Sequence, residues 1–433
     1  MKTSRMEPGD RLTLTTHGVA AGGDALARAE DGRVVFVAGA LPEERVVAEV
    51  VATKADFLRA NALEVLDASP HRTVPPCVHF FEGCGGCDLQ HANLAGQREV
   101  KRAIVVDALR RIGRIAEPPV LEAVHGVLAE GYRTTVRATV DPAGVPGLRR
   151  RGGHDHVAVP GCVIAAPAVQ QVLAEGRFPG AKEVLIRASV ATGHVVCIPA
   201  PRVSAGAKVP AGAKVIPSHA LGHRNGAITE VVHGRRFRVS ARSFFQSGPA
   251  AAELLVDAVD NALGRDLDAG GLLVDAYAGV GVLGAVLAER HPGVRLELVE
   301  SGRTAVEDAL HNLKGFDAEV LEGDVTAWTT DEEPAAIVAD PARTGLGSEA
   351  ADALAAAGAP TLVLVSCDPA ALGRDSRLLD SRGYGLERVR VLDLFPHTSH
   401  VEAVARFTRR GPARGEKPSR LQAQDRALPR KRF

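Results

Sequence analysis

LLVDAYAGVGVLGAVLAERHPGVRLELVE, residues 272–300, decides the fold. An apolar strand runs through Asp275 into a turn that carries Gly279 and Gly281. LGAVLAERH then has helical character, and LELVE is a second apolar strand that stops at Glu300. Working outward, AAELLVDAVDNAL (251–263) reads as a helix, and AIVAD (336–340) and TLVLVSC (361–367) are two further apolar strands, each ending in a polar residue. Strands that alternate with helices in this way pack as a doubly wound, mostly parallel sheet, with the ligand at the carboxyl ends of the strands. RVRVLDLF (388–395) and VEAVARF (401–407) have the character of a closing hairpin.

The turn is built for a nucleotide-like ligand. Gly279 and Gly281 permit a tight bend and close backbone approach, and Glu300 stands 19 residues after Gly281, where a carboxylate can take two ribose hydroxyls. The spacing is neither the Gly-x-Gly-x-x-Gly of dinucleotide sites nor the Gly-Lys-Ser/Thr of a P-loop, which disfavours a hydride-transfer enzyme and an NTPase. An adenosine cofactor is the expectation.

Upstream the pattern changes. RLTLTT, RVVFVAG and ERVVAEVVAT are rich in β-branched residues and separated by turn signals. They predict a small OB-like barrel over residues 1–68. Residues 69–235 read as a central β-rich α+β domain: NLAGQREVKRAIVVDALRRIG is helical by spacing, and YRTTVRATV, EVLIRASV, GHVVCIPA and EVVHGRRFRVS are β-like. Residues 236–410 form the Rossmann-like domain, and 411–433 a basic tail without order. The expected class is multidomain α/β.

The 433 residues carry 52 Lys/Arg and 52 Asp/Glu. Nine of the bases and two of the acids lie from Arg409 onward, which leaves 43 bases and 50 acids in the body. A polyanion would therefore meet local basic patches and not the overall field. Arg110, Arg111, Arg114 and Arg149–Arg151 are candidates. No apolar run is long enough to cross a bilayer, and the N-terminus lacks a secretory pattern, so a cytoplasmic monomer is expected.

Six cysteines in a reducing compartment suggest metal binding or catalysis. Cys77, Cys84 and Cys87 cluster in a glycine-rich stretch, and Cys162 follows 75 positions after Cys87. Four thiolates can hold zinc or an iron–sulfur cluster, and the three-plus-one spacing tilts toward a cluster. Cys197, in an apolar strand, reads as core. Asp340-Pro-Ala-Arg343 and Ser366-Cys367-Asp368-Pro369 each follow an apolar strand, which makes Cys367 a candidate nucleophile. Glu402, after Pro396-His-Thr-Ser-His400, is a candidate base.

Together these motifs resemble the RNA uracil-5 methyltransferase family over nearly the whole chain. The resemblance implies a TRAM domain at the N-terminus, a [4Fe-4S] site at Cys77, Cys84, Cys87 and Cys162, and S-adenosylmethionine as cofactor. Phe244-Phe245-Gln246 matches the segment whose glutamine contacts that cofactor, and Tyr277, Glu300, Asp324 and Asp340 match the other contacts. Cys367 matches the nucleophile that adds to C6 of uracil, and Glu402 the acceptor of the C5 proton. Transfer or ribosomal RNA is the implied partner. Asp340-Pro-Ala-Arg343 departs from the family's Asp-Pro-Pro-Arg, Ser-Cys-Asp-Pro from Ser-Cys-Asn-Pro and Ala278-Gly279 from Cys-Gly, and Val282 replaces an asparagine. None of these removes a catalytic group. A noncatalytic RNA-binding or RNA-folding protein, a cytosine-5 methyltransferase and a redox protein built on the cluster are the rival readings. Retention of Cys367, Glu402 and Asp340 argues against the first, and FPHTSHVE (395–402) against the second.

Overall fold

The computed structural model describes residues 6–201, 206–218, 221, 226–411, 428 and 430–431. The C-terminal half is built on a sheet of nine strands among the described residues. Its strands are β1 (Gly271–Ala276), β2 (Val294–Glu300), β3 (Ala318–Glu322), β4 (Ala336–Ala339), β5 (Thr361–Ser366), β6 (Tyr384–Asp393) and β7 (Glu402–Arg409). The helices are α1 (Pro249–Leu263), α2 (Val282–Arg290), α3 (Arg303–Asn312), α4 (Gly347–Ala356) and α5 (Pro369–Asp380). Strand order is β3-β2-β1-β4-β5-β7-β6, flanked by Arg430–Lys431 beyond β3 and His125–Gly126 beyond β6. β1 to β5 are parallel, and β7 lies antiparallel between β5 and β6 as the expected hairpin. Helices cover both faces, which is why these strands are continuous apolar runs and not alternating ones. Every residue of β5 is buried.

The N-terminal strands form a six-stranded sheet around Leu14, Val35, Val37, Val46 and Leu58. Buried and less buried positions alternate along Arg45–Thr53, the period-two signature read from the sequence. Burial works to raise the pKa of Glu44, but Arg72 (2.5 Å), Leu41 N–H and Ser69 N–H hold it below the usual carboxylate range. This pins the barrel to the segment that follows.

The central region contributes a six-stranded sheet and a separate hairpin, Ile228–Val232 with Arg235–Val239. Two of its pieces join the catalytic layer. His125–Gly126 pairs with β6, and helix Leu94–Arg111 packs on α5. Gly373 in α5 makes that approach possible, because a Cβ there would stand 2.8 Å from Ala108 O and 3.0 Å from Ile112 Cβ.

The expected iron–sulfur site is corrected. Cys77, Cys84, Cys87 and Cys162 do meet around one small cavity, of about 20 Å³. Among the described residues, however, no group of three or more His, Cys, Asp or Glu is arranged to hold a metal ion. Burial pushes the Cys87 thiol up to about 12 and raises Cys84 and Cys162 as well. Cys84, Cys87 and Cys162 belong to a buried apolar cluster with Val159 and Ile164, and Cys77 lines the same cavity. Cys197 is fully buried, as core. The expected tail over 411–433 lies largely outside the described residues; near its end, Leu428 packs against Gly323, and Arg430–Lys431 pair with β3. No described helix is long and apolar enough to cross a membrane.

Candidate active site

The carboxyl ends of β1, β2, β4 and β5 form one rim. Asp275 near the end of β1 is buried and accepts a hydrogen bond from Gly284 N–H (2.9 Å). Burial pushes it up to about 7, and its Oδ1 has no partner among the described residues. Tyr277 and Gly281 have φ of +64° and +81°. A non-glycine residue in that region is strained, a feature that concentrates at ligand sites. Gly279 N–H donates to Glu300 Oε2 (2.8 Å), and Gly302 N–H donates to Glu300 Oε1 (2.5 Å). The carboxylate at the end of β2 is thus locked to the turn. At φ +57°, Gly279 faces open space, with nothing within 4 Å of where a Cβ would stand.

The structure brings Gln246, Tyr277 and Asp340 together in a cavity they share with Phe244, Phe245 and Gly279. Gln246 Nε2 reaches Asp340 Oδ2 at 3.5 Å. Glu300 meets this cavity through Gly279. Asp324 stands just beyond β3, exposed, and caps the turn Val325–Ala327; the hydroxyl and N–H of Thr326 keep its carboxyl below the usual range. The orphaned Asp275 oxygen, the open glycine turn and the aromatic wall of the cavity fit an adenosine cofactor with a polar tail.

Cys367 follows β5 directly, and Glu402 opens β7. Ser366 pairs with Ala403 across the antiparallel ladder, so the register sets Cys367 beside Glu402. Asp368 caps α5 through Ala371 N–H (2.8 Å), so aspartate in place of the family's asparagine still serves the local turn. Burial, then the charges of Glu402 and Asp340, push the Cys367 thiol up to about 11; Arg343 opposes them. Glu402 is only 3 % exposed. Burial and then Asp340 raise it well above the usual range, again against Arg343. Burial also pushes Asp340 up to about 7. All three shifts favour the protonated forms, and Arg343 is the cation that opposes them at Cys367 and Glu402.

The sequence reading assigned no role to the residues that hold the segment before Glu402. Lys101 pairs with Asp393 and donates to Phe395 O (2.9 Å). Tyr132 Oη donates to Pro396 O (3.0 Å), and His397 N–H donates to Gln97 Oε1 (2.6 Å). Ser399 donates through both N–H and Oγ to Asp88 (2.6 Å each). No local pattern signals these partners, which stand about 260 to 310 residues away along the chain. The basic candidates fare unevenly. Arg150 and Arg151 are tied to Glu82 O and Cys87 O, and Arg151 lies over the Phe80 ring. Arg111 is paired with Asp107.

Residues 248–362 match the family model described as the methyltransferase small domain, and residues 5–63 match the TRAM domain. Fold and site together define an S-adenosylmethionine-dependent methyltransferase. An uncharacterized RNA methyltransferase of Streptomyces coelicolor is 38% identical over 92% of this chain and 92% of its own length. One of Streptomyces avermitilis is 36% identical over 92% of this chain and 98% of its own. The chain belongs to this family of RNA methyltransferases and carries an N-terminal TRAM domain. The crystal structure of a Pyrococcus abyssi tRNA (uracil-54, C5)-methyltransferase bound to S-adenosyl-L-homocysteine shares the fold. Its TM-score is 0.71 at 22% identity, and the match covers 92% of this chain and all of that one.

Proposed function

We propose that the chain transfers a methyl group from S-adenosylmethionine to C5 of a uridine in transfer or ribosomal RNA, with Cys367 as nucleophile and Glu402 as proton acceptor. The observation that carries this is the β5–β7 register, which sets a thiol beside a buried carboxylate at the rim. S-adenosylmethionine supplies the methyl group as a sulfonium electrophile; Gln246, Tyr277, Glu300, Asp324 and Asp340 are the residues that would hold it. C5 of uracil is too weak a nucleophile by itself. Addition of the Cys367 thiolate to C6 forms an S–C6 bond and places electron density on C5. Once C5 carries the methyl group, Glu402 takes the C5 proton, the S–C6 bond breaks and the thiolate returns. Arg343 favours both ionised groups. The target base must leave its stack to reach Cys367. The working unit is a cytoplasmic monomer divided as 1–68, 69–235, 236–410 and 411–433.

The test is incubation with labelled S-adenosylmethionine and RNA from cells lacking this gene, followed by nucleoside identification. Label in 5-methyluridine, lost in Cys367→Ala, is the expected result. Label in 5-methylcytidine would move the chain to a different chemistry. No label despite measurable cofactor binding would favour a noncatalytic RNA-binding protein.

A further inference from the structure

Beside the cofactor cavity lies a second, larger hollow of about 560 Å³, formed between the central sheet and residues 241–247. The two hollows share Phe244, Phe245 and Gln246 in their walls, so they lie side by side. Four arginines line the larger one: Arg133, Arg137, Arg187 and Arg242. Arg137 is paired with Glu183 (2.8 Å). Arg133 and Arg242 donate only to backbone carbonyls, those of Thr135 and Ser218, and have no carboxylate partner among the described residues. Arg187 is 5 % exposed, held by Ser240 O and Ser243 O, and its Nε has no partner among the described residues. Phe244 stands where the two hollows meet with 68 % of its surface exposed. An open aromatic face beside cationic side chains is the kind of surface on which a nucleic-acid base stacks.

We propose that this groove holds the single RNA strand adjoining the target nucleotide, with Arg133 and Arg242 on its phosphates and Phe244 offering a stacking face to a base. The proposal rests on the RNA methyltransferase reading and adds where the strand runs. The chemistry matches sequence-tolerant single-strand binding, in which a basic groove tracks the backbone and aromatics stack on bases. An otherwise acidic body makes such a local cation cluster the place for a polyanion. Two unpaired guanidiniums and an aromatic beside a cofactor cavity suit a nucleic-acid strand better than a protein segment, which would leave the cations without partners.

The experiment is binding of a fluorescein-labelled, uridine-containing 12-nucleotide single-stranded RNA by the full chain and by Arg133→Ala/Arg242→Ala across a salt series, with S-adenosylmethionine affinity measured in parallel. Each phosphate contact on a single strand contributes about 0.7 to the slope of log K against log salt. The double variant is expected to lose about 1.4 from that slope and roughly tenfold in affinity at low salt, with cofactor affinity unchanged. Wild-type slope and affinity in the variant, or no binding of the oligonucleotide by the wild type, would overturn the proposal. Because the readout is binding, a chain that binds RNA through these arginines but transfers no methyl group would refute the catalytic reading and leave the groove standing.

Discussion

Cys367 and Glu402 sit side by side, yet the regions that carry them are held in opposite ways. Cys367 directly follows β5, a strand whose six residues are all buried among its sheet neighbours, and its place follows from the local strand-to-helix turn capped by Asp368. Glu402 begins β7, but the segment leading to it is clamped from outside the catalytic domain by Asp88, Gln97, Lys101 and Tyr132. The proposed nucleophile is placed by secondary structure and the proposed base by tertiary structure. Damage to the central region should therefore reach the chemistry through Glu402, whereas changes at Cys367 should stay chemical.

The sharpest version of that contrast pairs two substitutions. Cys367→Ala should reduce methyl transfer by more than about 10³-fold, because it removes the thiol proposed to form the C6 adduct, while leaving the thermal midpoint within about a degree or two. Glu402→Gln should reduce turnover by about 10²- to 10⁴-fold and trap an RNA-linked protein visible on a denaturing gel. Absence of that adduct would remove Glu402 from the role of proton acceptor.

Lys101→Met comes next. It leaves Asp393 buried with only Arg98, 3.9 Å away, in place of its close partner. Breaking a buried pair typically costs about 3–5 kcal/mol, so denaturant unfolding should shift by that order and activity should fall with it. Full activity in a destabilised Lys101→Met protein would break the link between the clamp and the base.

The pH profile separates the two groups further. With the Cys367 thiol pushed up to about 11, the thiolate is a small fraction at neutral pH. Its fraction grows about tenfold per pH unit below that value, so kcat/KM under RNA-limited conditions should climb from pH 6.5 to 9. Arg343→Ala removes the cation that lowers both groups, so its rate at a given pH should lie below the wild type's. A flat wild-type profile would exclude thiolate formation as a limit.

Ser399→Ala is the mildest test. It deletes the hydroxyl bond to Asp88 and keeps the backbone one. A loss of about 1 kcal/mol in stability with a few-fold loss in rate is expected, measured by chemical denaturation and single-turnover kinetics. A rate unchanged within error would mean that the backbone bond alone sets the loop.

Much of this was legible in the residues themselves. Apolar runs ending in Asp275, Glu300, Asp340 and Cys367 mark parallel strands and their polar rim, because a strand buried on both faces has no other way to carry polar chemistry than at its end. The β-branched alternation of Arg45–Thr53 likewise marks a barrel face. Periodicity records that a residue is buried but not against what. Tertiary structure alone decided that helix Leu94–Arg111 lies on α5, that Lys101 meets Asp393, and that Arg133 and Arg242 share a hollow with Phe244. It also decided that the four clustered cysteines form a buried apolar pocket without a metal-holding arrangement among the described residues. Spacing brings thiols near one another, but their arrangement in space is set by what the rest of the chain packs against them.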